Sequence, residues 1–145
     1  SLWDLYCGVG GFALAAARAG FPRVTGVEVS SGAISSAISA ARHAGLPRSA
    51  ASFIADDATS WARAQSPEDV PDVIVVNPPR RGIGADLAAY LNECDAPRVI
   101  YSSCNPASLA TDLAAMPTLR PIEGRLFDMF PHTAHAEVAL LLERA

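Results

Sequence analysis

The sequence contains no lysine: all 11 of its Lys and Arg positions are arginine. Acidic groups outnumber them, 15 against 11, for a net charge of -4. That balance excludes a domain that holds nucleic acid by electrostatics alone, because neutralising phosphates takes clustered basic side chains. Any such grip must be local, through arginines suited to bidentate phosphate contact, or must come from another part of the protein. Long apolar runs are missing too. Half of the residues are hydrophobic, yet Arg, Asp, Ser or Pro interrupts them everywhere. No stretch approaches the roughly 18 apolar residues of a membrane span, so no membrane association is expected.

Cysteine is scarce and odd in number. Cys7, Cys94 and Cys104 lack the paired spacing of a disulfide framework or a zinc knuckle, which points to a reducing compartment, by default the cytoplasm. No charged segment followed by an apolar one opens the chain, and it begins on Ser1 in a strand-like segment rather than on Met. The 145 residues read as one catalytic domain over 1–145, a fragment of a longer protein, and are expected to act as a monomer.

What is present alternates regularly. Leu2 to Tyr6 reads as a buried strand, after which Gly8, Gly10 and Gly11 turn the chain into an Ala-rich helix closed by Gly20. Arg23 to Val29 is a second strand, and Ser30 or Ser31 caps a helix running to His43 with Gly45 just past its end. Ser52 to Ala55 is a short strand, Asp56 or Asp57 caps a helix through Gln65, and Asp72 to Val76 is the fourth strand. A helix from Ile83 to Cys94, a strand from Arg98 to Ser103, and a helix from Asn105-Pro106 to Ala115 follow. Ile122 to Met129 and Glu137 to Leu142 are two strands with no helix between them. The pattern predicts an α/β fold, a Rossmann-like doubly wound sheet that is mostly parallel and ends in an antiparallel hairpin.

In such a sheet the ligand crevice lies at the carboxyl ends of the strands. The first strand-to-helix turn is Asp4-Leu5-Tyr6-Cys7-Gly8-Val9-Gly10-Gly11-Phe12, where glycines let backbone approach a ligand and the helix start offers free amides. Glu28, twenty residues after Gly8, is placed to accept hydrogen bonds from both hydroxyls of a ribose. Gly8-x-Gly10-x-x-Ala13 with a later acid also fits the nicotinamide dinucleotide pattern. Asp4 ahead of the glycines, with Cys7 between, favours S-adenosylmethionine, whose cationic sulfonium and amino group gain from nearby carboxylates. Asp57 is read either as an adenine contact or as a helix cap.

Asn77-Pro78-Pro79-Arg80 ends the fourth strand, with two prolines holding Asn77 toward the pocket. Methyltransferases acting on exocyclic amines carry an aromatic residue after the two prolines; here Arg80 stands there, and Arg80 and Arg81 are free to meet phosphate or base. For Arg81 a plain surface arginine is the competing reading. Cys104 lies at a strand end immediately before a helix start, where free amides and the helix dipole stabilise a thiolate, although a single cysteine is more often an inert packing residue. Cys7 is expected to pack and Cys94 to take no part. His132, His135 and Glu137 could be read as metal ligands, but nothing else supplies a partner for them and no metal is expected. Glu137, opening the apolar strand Glu137-Val138-Ala139-Leu140-Leu141-Leu142, reads as a catalytic acid or base, because burying a carboxylate there is costly.

These segments resemble, essentially end to end, the catalytic domain of the RNA 5-methyluridine methyltransferase family. The resemblance rests on Asp4-Leu5-Tyr6-Cys7-Gly8, Asn77-Pro78-Pro79-Arg80-Arg81-Gly82, Tyr101-Ser102-Ser103-Cys104-Asn105, and Leu126-Phe127-Asp128-Met129-Phe130-Pro131-His132-Thr133 before His135-Ala136-Glu137-Val138. Gly10-Gly11-Phe12 and the Asn77 start of the proline motif are most similar to the branch acting on uracil-747 of 23S ribosomal RNA. The resemblance implies that Tyr6, Glu28 and Asn77 contact S-adenosylmethionine; Gly8, Gly10, Gly11 and Asp57 join the expected cofactor site from their positions in the first turn and after the third strand. It implies that Cys104 is the nucleophile adding to carbon 6 of uracil and Glu137 the base. It also implies an RNA substrate, 23S ribosomal RNA by branch, with a transfer RNA uridine or an inactive RNA-binding fragment as alternatives. Family members carry an iron-sulfur cluster in an N-terminal region. Neither Cys7 nor Cys94 has the spacing of its ligands, so no cluster is expected in this chain.

Overall fold

A computed structural model describes residues 1–129, 132–133 and 135–145. Phe130, Pro131 and Ala134, which belong to the turn singled out above, lie outside the described residues. Seven strands form one sheet: β1 (Leu2–Leu5), β2 (Val24–Glu28), β3 (Ala51–Ala55), β4 (Val73–Val76), β5 (Arg98–Ser103), β6 (Leu119–Phe127) and β7 (Glu137–Arg144). Five helices lie between them: α1 (Gly11–Arg18), α2 (Ser31–His43), α3 (Ala58–Arg63), α4 (Gly84–Glu93) and α5 (Pro106–Ala114). The strand order is β3-β2-β1-β4-β5-β7-β6. All pairs among the first five strands are parallel, whereas β7 runs antiparallel to both β5 and β6. The α/β architecture expected from the alternation is therefore the observed one.

The order reverses between β1 and β4, so their carboxyl ends open the crevice in which ligands of such sheets bind. The inner strands are short apolar runs because both of their faces are covered. On one face Ile74, Val76, Val99 and Tyr101 pack with Ala58 and Ala62 of α3, Leu87 and Leu91 of α4, and Leu109 of α5. Trp3 and Trp61 meet edge to face there, with centroids 4.8 Å apart. On the other face Leu2, Val24 and Val75 pack with Ala13 and Ala17 of α1. Fully buried alanines on the helices, Ala13, Ala37, Ala62 and Ala88, let the helix backbones lie close to the sheet.

Helix starts follow the capping chemistry. Ser30 accepts the Ala33 amide (3.3 Å), Asp57 the Ser60 amide (2.8 Å) and Asn105 the Ala107 amide (3.2 Å). Several ends differ by one to three residues from the sequence reading, and two of them have a visible cause. β6 begins at Leu119 rather than Ile122, because Pro121 is accommodated in an edge strand with an irregularity between Pro121 and Glu123. β7 runs on to Arg144, whose guanidinium donates to the carbonyls of Leu91 (2.8 Å), Asn92 (3.0 Å) and Ala96 (3.1 Å) at the end of α4. That anchor fixes where β7 sits, and hence where Glu137 begins it. No helix among the described residues is long and apolar enough to cross a membrane.

Candidate active site

The turn after β1 is built on three left-handed residues, Tyr6 (φ 66), Gly8 (φ 54) and Gly10 (φ 88). Only Tyr6 carries a side chain, and its backbone conformation turns it out of the strand toward the crevice. A Cβ on Gly10 would come within 2.9 Å of the Phe53 ring and 3.1 Å of the Ala37 Cβ, so this glycine serves packing; one on Gly8 would meet nothing within 4 Å. Gly8 thus faces open space. Glu28 braces the loop from the end of β2, its Oε2 accepting from the Gly8 amide (3.2 Å) and its Oε1 from the Ser30 amide (3.0 Å). A carboxylate has about four lone-pair positions, so each oxygen keeps capacity for a further donor.

Tyr6, Glu28, Val29, Asp57, Asn77 and Arg81 line one cleft of about 510 Å³ beside this loop. Five of these were singled out from sequence; Val29, exposed at 75%, was not, since a lone valine after an acid carries no pattern. Asp57 is the α3 cap, and the Ser60 amide holds its carboxyl below the usual range. It keeps its charge at the mouth of the cleft. Burial pushes the Tyr6 phenol above its ordinary range, with the Thr59 side chain as a hydrogen-bond partner, so it stays a neutral donor.

Asp4 lies beneath the same loop, fully buried. Its Oδ2 accepts from the Ala13 amide in the first turn of α1 (2.9 Å), while Oδ1 is buried without a partner among the described residues. Burial outweighs that one bond and raises the Asp4 carboxyl to about 7. The folded state therefore holds a proton that the unfolded chain releases near 3.8, and the fold loses stability as pH rises from about 4 to about 7. A shift of about 3 units corresponds to at most about 4 kcal/mol. Asp4→Asn keeps an acceptor for Ala13 and should flatten the stability curve over that window. Denaturation midpoints from pH 4 to 8 check this; parallel curves for the two proteins would refute it.

Cys7 is buried beneath the loop, and its thiol is pushed up to about 12 by burial and by the charges of Asp4 and Glu28. It packs, as expected. Cys104 is half-buried in the turn between β5 and α5. The Ser103 hydroxyl accepts from the Asn105 amide (3.0 Å) and donates to the Asn105 carbonyl (3.1 Å), which fixes the backbone on both sides of the thiol.

The arginine loop is tied to that turn at two points. The Asn105 side-chain amide donates to the Arg80 carbonyl (2.8 Å). Asp112 of α5, 5% exposed, accepts from the Ile83 amide (2.9 Å) and from the Tyr101 hydroxyl (2.5 Å). A Cβ on Gly82 would stand 2.4 Å from the Asp112 carboxylate, so the loop passes this close only as glycine. Arg80 and Arg81 themselves are exposed. Sequence reasoning missed Asp112, because an aspartate within an amphipathic helix looks like a solvated charge.

β7 completes the site. Its register pairs Ser103 with Val138, so the next residues outward on the two chains are Cys104 and Glu137. The Ser102 hydroxyl donates to Glu137 Oε1 at 2.6 Å. Cys104 and Glu137, separated by 33 positions (137 minus 104), thus each lie one residue beyond the Ser103–Val138 pair at the carboxyl edge of the sheet. Among the described residues no group of three His, Cys, Asp or Glu is gathered so as to hold a metal ion.

The family model of tRNA (uracil-5-)-methyltransferases matches residues 69–145. The 23S rRNA (uracil(747)-C(5))-methyltransferase RlmC of Pectobacterium atrosepticum is 47% identical over the whole of this chain and 37% of the relative. Its counterpart in Shewanella amazonensis is 50% identical over 98% of this chain and 36% of the relative. The chain therefore spans little more than a third of the length of these curated relatives. The crystal structure of Pyrococcus abyssi tRNA (uracil-54, C5)-methyltransferase, in complex with S-adenosyl-L-homocysteine, superposes with a TM-score of 0.84 at 32% identity, over 97% of this chain and 33% of that one. Magnesium protoporphyrin IX methyltransferase from Synechocystis, at 16% identity and a TM-score of 0.72, shares the fold.

Proposed function

The chain belongs to the tRNA (uracil-5-)-methyltransferase family, and from that premise we propose that it transfers a methyl group from S-adenosylmethionine to carbon 5 of a uridine in RNA. The single observation that carries this reading is the β5–β7 register, whose Ser103–Val138 pair leaves Cys104 and Glu137 as the next residue on each strand end. A nucleophile beside a base is what substitution at carbon 5 needs, since that carbon is itself a poor nucleophile. The relatives named for 23S ribosomal RNA are matched over nearly all of this chain, which favours a ribosomal RNA substrate.

The residues of the cleft fit the cofactor. Glu28 accepts from the ribose hydroxyls, Gly8 leaves room for close backbone approach, Val29 offers an apolar surface to the adenine, and Asp57 supplies a charged acceptor near the same base. Tyr6 and Asn77 border the methionine end. Bound S-adenosylmethionine supplies an electrophilic methyl group.

The chain's own residues do the rest. The Cys104 thiolate forms a bond to carbon 6 of uracil, and the electrons of the 5,6 double bond move to carbon 5 and the adjacent carbonyl. Asn77, held by Pro78 and Pro79, keeps the ring against the cofactor cleft. Once carbon 5 carries the methyl group, Glu137 takes its proton; the double bond re-forms and expels the thiolate. Arg80 and Arg81 meet the flanking phosphates as a bidentate pair on a fixed loop. The target uridine must be looped or flipped out to reach the thiol.

Glu28→Ala tests the cofactor assignment. Removing a charged acceptor of two hydroxyls should weaken S-adenosylhomocysteine binding by about 1.5 to 3 kcal/mol, read by calorimetry with NAD as the negative control. Unchanged affinity, or a preference for NAD, would contradict it.

A further inference from the structure

We propose that Ser102 is a positioning residue for the base: its hydroxyl aims the Glu137 carboxylate at carbon 5 and so sets the rate of proton removal. The inference rests on the reading of Glu137 as the base. Ser102 is 4% exposed and sits on the face of β5 that also carries Ile100, opposite Ala139 and Leu141 of β7. Its neighbours Ile100, Ala139 and Leu141 in that row are apolar. A hydroxyl in such a row must find a partner or bear the cost of desolvation, and among the described residues its one hydrogen bond runs to Glu137 Oε1 at 2.6 Å.

The register dictates that contact. β5 pairs Ser102 with Ala139, so Glu137, two residues along on the same face, is the diagonal neighbour of Ser102, within reach of a long side chain. At 2.6 Å the hydroxyl holds one carboxylate oxygen closely. One oxygen is therefore occupied by a buried donor and the other is left to take a proton. On β6, Phe127, which pairs with Glu137 in the register, has no polar group, and the guanidinium of Arg125, the diagonal neighbour, is paired with Glu123 (3.0 Å). Ser102 keeps its own proton throughout. The proton of carbon 5 passes to Glu137, the carbon-hydrogen electrons restore the double bond, and the carbon-sulfur pair returns to Cys104.

The test uses the complete gene product with substrate RNA and methyl-labelled S-adenosylmethionine, comparing wild type, Ser102→Ala, Ser102→Thr and Glu137→Gln. Ser102→Ala should lower kcat on the order of tenfold, as expected for losing one hydrogen bond to a charged group, with kcat/KM for RNA unchanged because the affected step follows methyl transfer. Part of the enzyme should then stand as a labelled covalent adduct that survives denaturing electrophoresis. Ser102→Thr, which keeps the hydroxyl, should restore turnover and clear the adduct. RNA containing 5-fluorouridine, whose fluorine no base can remove as a proton, should trap wild type and Ser102→Ala at the same rate, because addition and methylation precede the step affected. Normal turnover by Ser102→Ala while Glu137→Gln stalls would overturn the proposal. So would equal slowing of turnover and of fluorouridine trapping, which marks a packing role. If Glu137→Gln itself turns over normally, the base assignment falls and this inference falls with it.

Discussion

Cys104→Ala in the complete enzyme should lose methyl transfer by on the order of 10⁴-fold or more, the scale seen when a covalent nucleophile is removed, while S-adenosylhomocysteine binds with unchanged affinity. The two parts of the expectation come from different places in the fold. The cleft proposed for the cofactor is lined by the ends of β1, β2 and β4 and the start of α3, whereas the thiol belongs to the turn after β5 and, in the proposed mechanism, acts on the base. No second thiol can substitute. Cys7 is buried with its thiol held at about 12, and the Cys94 thiol is raised by burial at the end of α4. A filter-binding assay for methylated RNA, paired with calorimetry, reads both quantities. Activity near that of wild type would remove Cys104 from the chemistry, and loss of cofactor affinity would show a structural defect instead.

Most of the fold was legible because its signals are local. Alternating apolar runs and capped helices are written in consecutive residues: Ser30, Asp57 and Asn105 each cap the helix that follows them. The β6 start was not legible, since Pro121 reads as a breaker and only its edge position makes it acceptable. The crevice side of the site was legible for a related reason. Topology puts the first and fourth strand ends together whatever their sequence, so Tyr6, Glu28 and Asn77 could be placed from order alone.

The reaction side depends on contacts that no local pattern encodes. Glu137 comes to the same strand edge as Cys104 because β7 inserts between β5 and β6, a consequence of the register and of the Arg144 anchor on α4. Asp112 binds a loop 29 positions away (112 minus 83) and Ser102 a carboxylate 35 positions away. Each looks ordinary in sequence, an acid on a helix and a serine in a strand. Their roles follow from burial: a polar atom taken from water must be paired, and the partner is chosen by the tertiary fold.

Glu137→Gln isolates one step, and for that reason its expected effect is a change of product rather than a simple loss of rate. Thiol addition and methylation need no carboxylate, whereas loss of the carbon-5 proton does. Glutamine preserves the shape and can still accept from Ser102, but it cannot act as a base at neutral pH. The variant should therefore methylate one uridine per active site and stop with the RNA attached. The measurement is denaturing electrophoresis of the complete Glu137→Gln enzyme after mixing with substrate RNA and methyl-labelled S-adenosylmethionine. A protein–RNA band that carries the methyl label, and that disappears when Cys104→Ala is added, is the predicted result; normal turnover, or no adduct under conditions where cofactor and RNA both bind, would contradict the account.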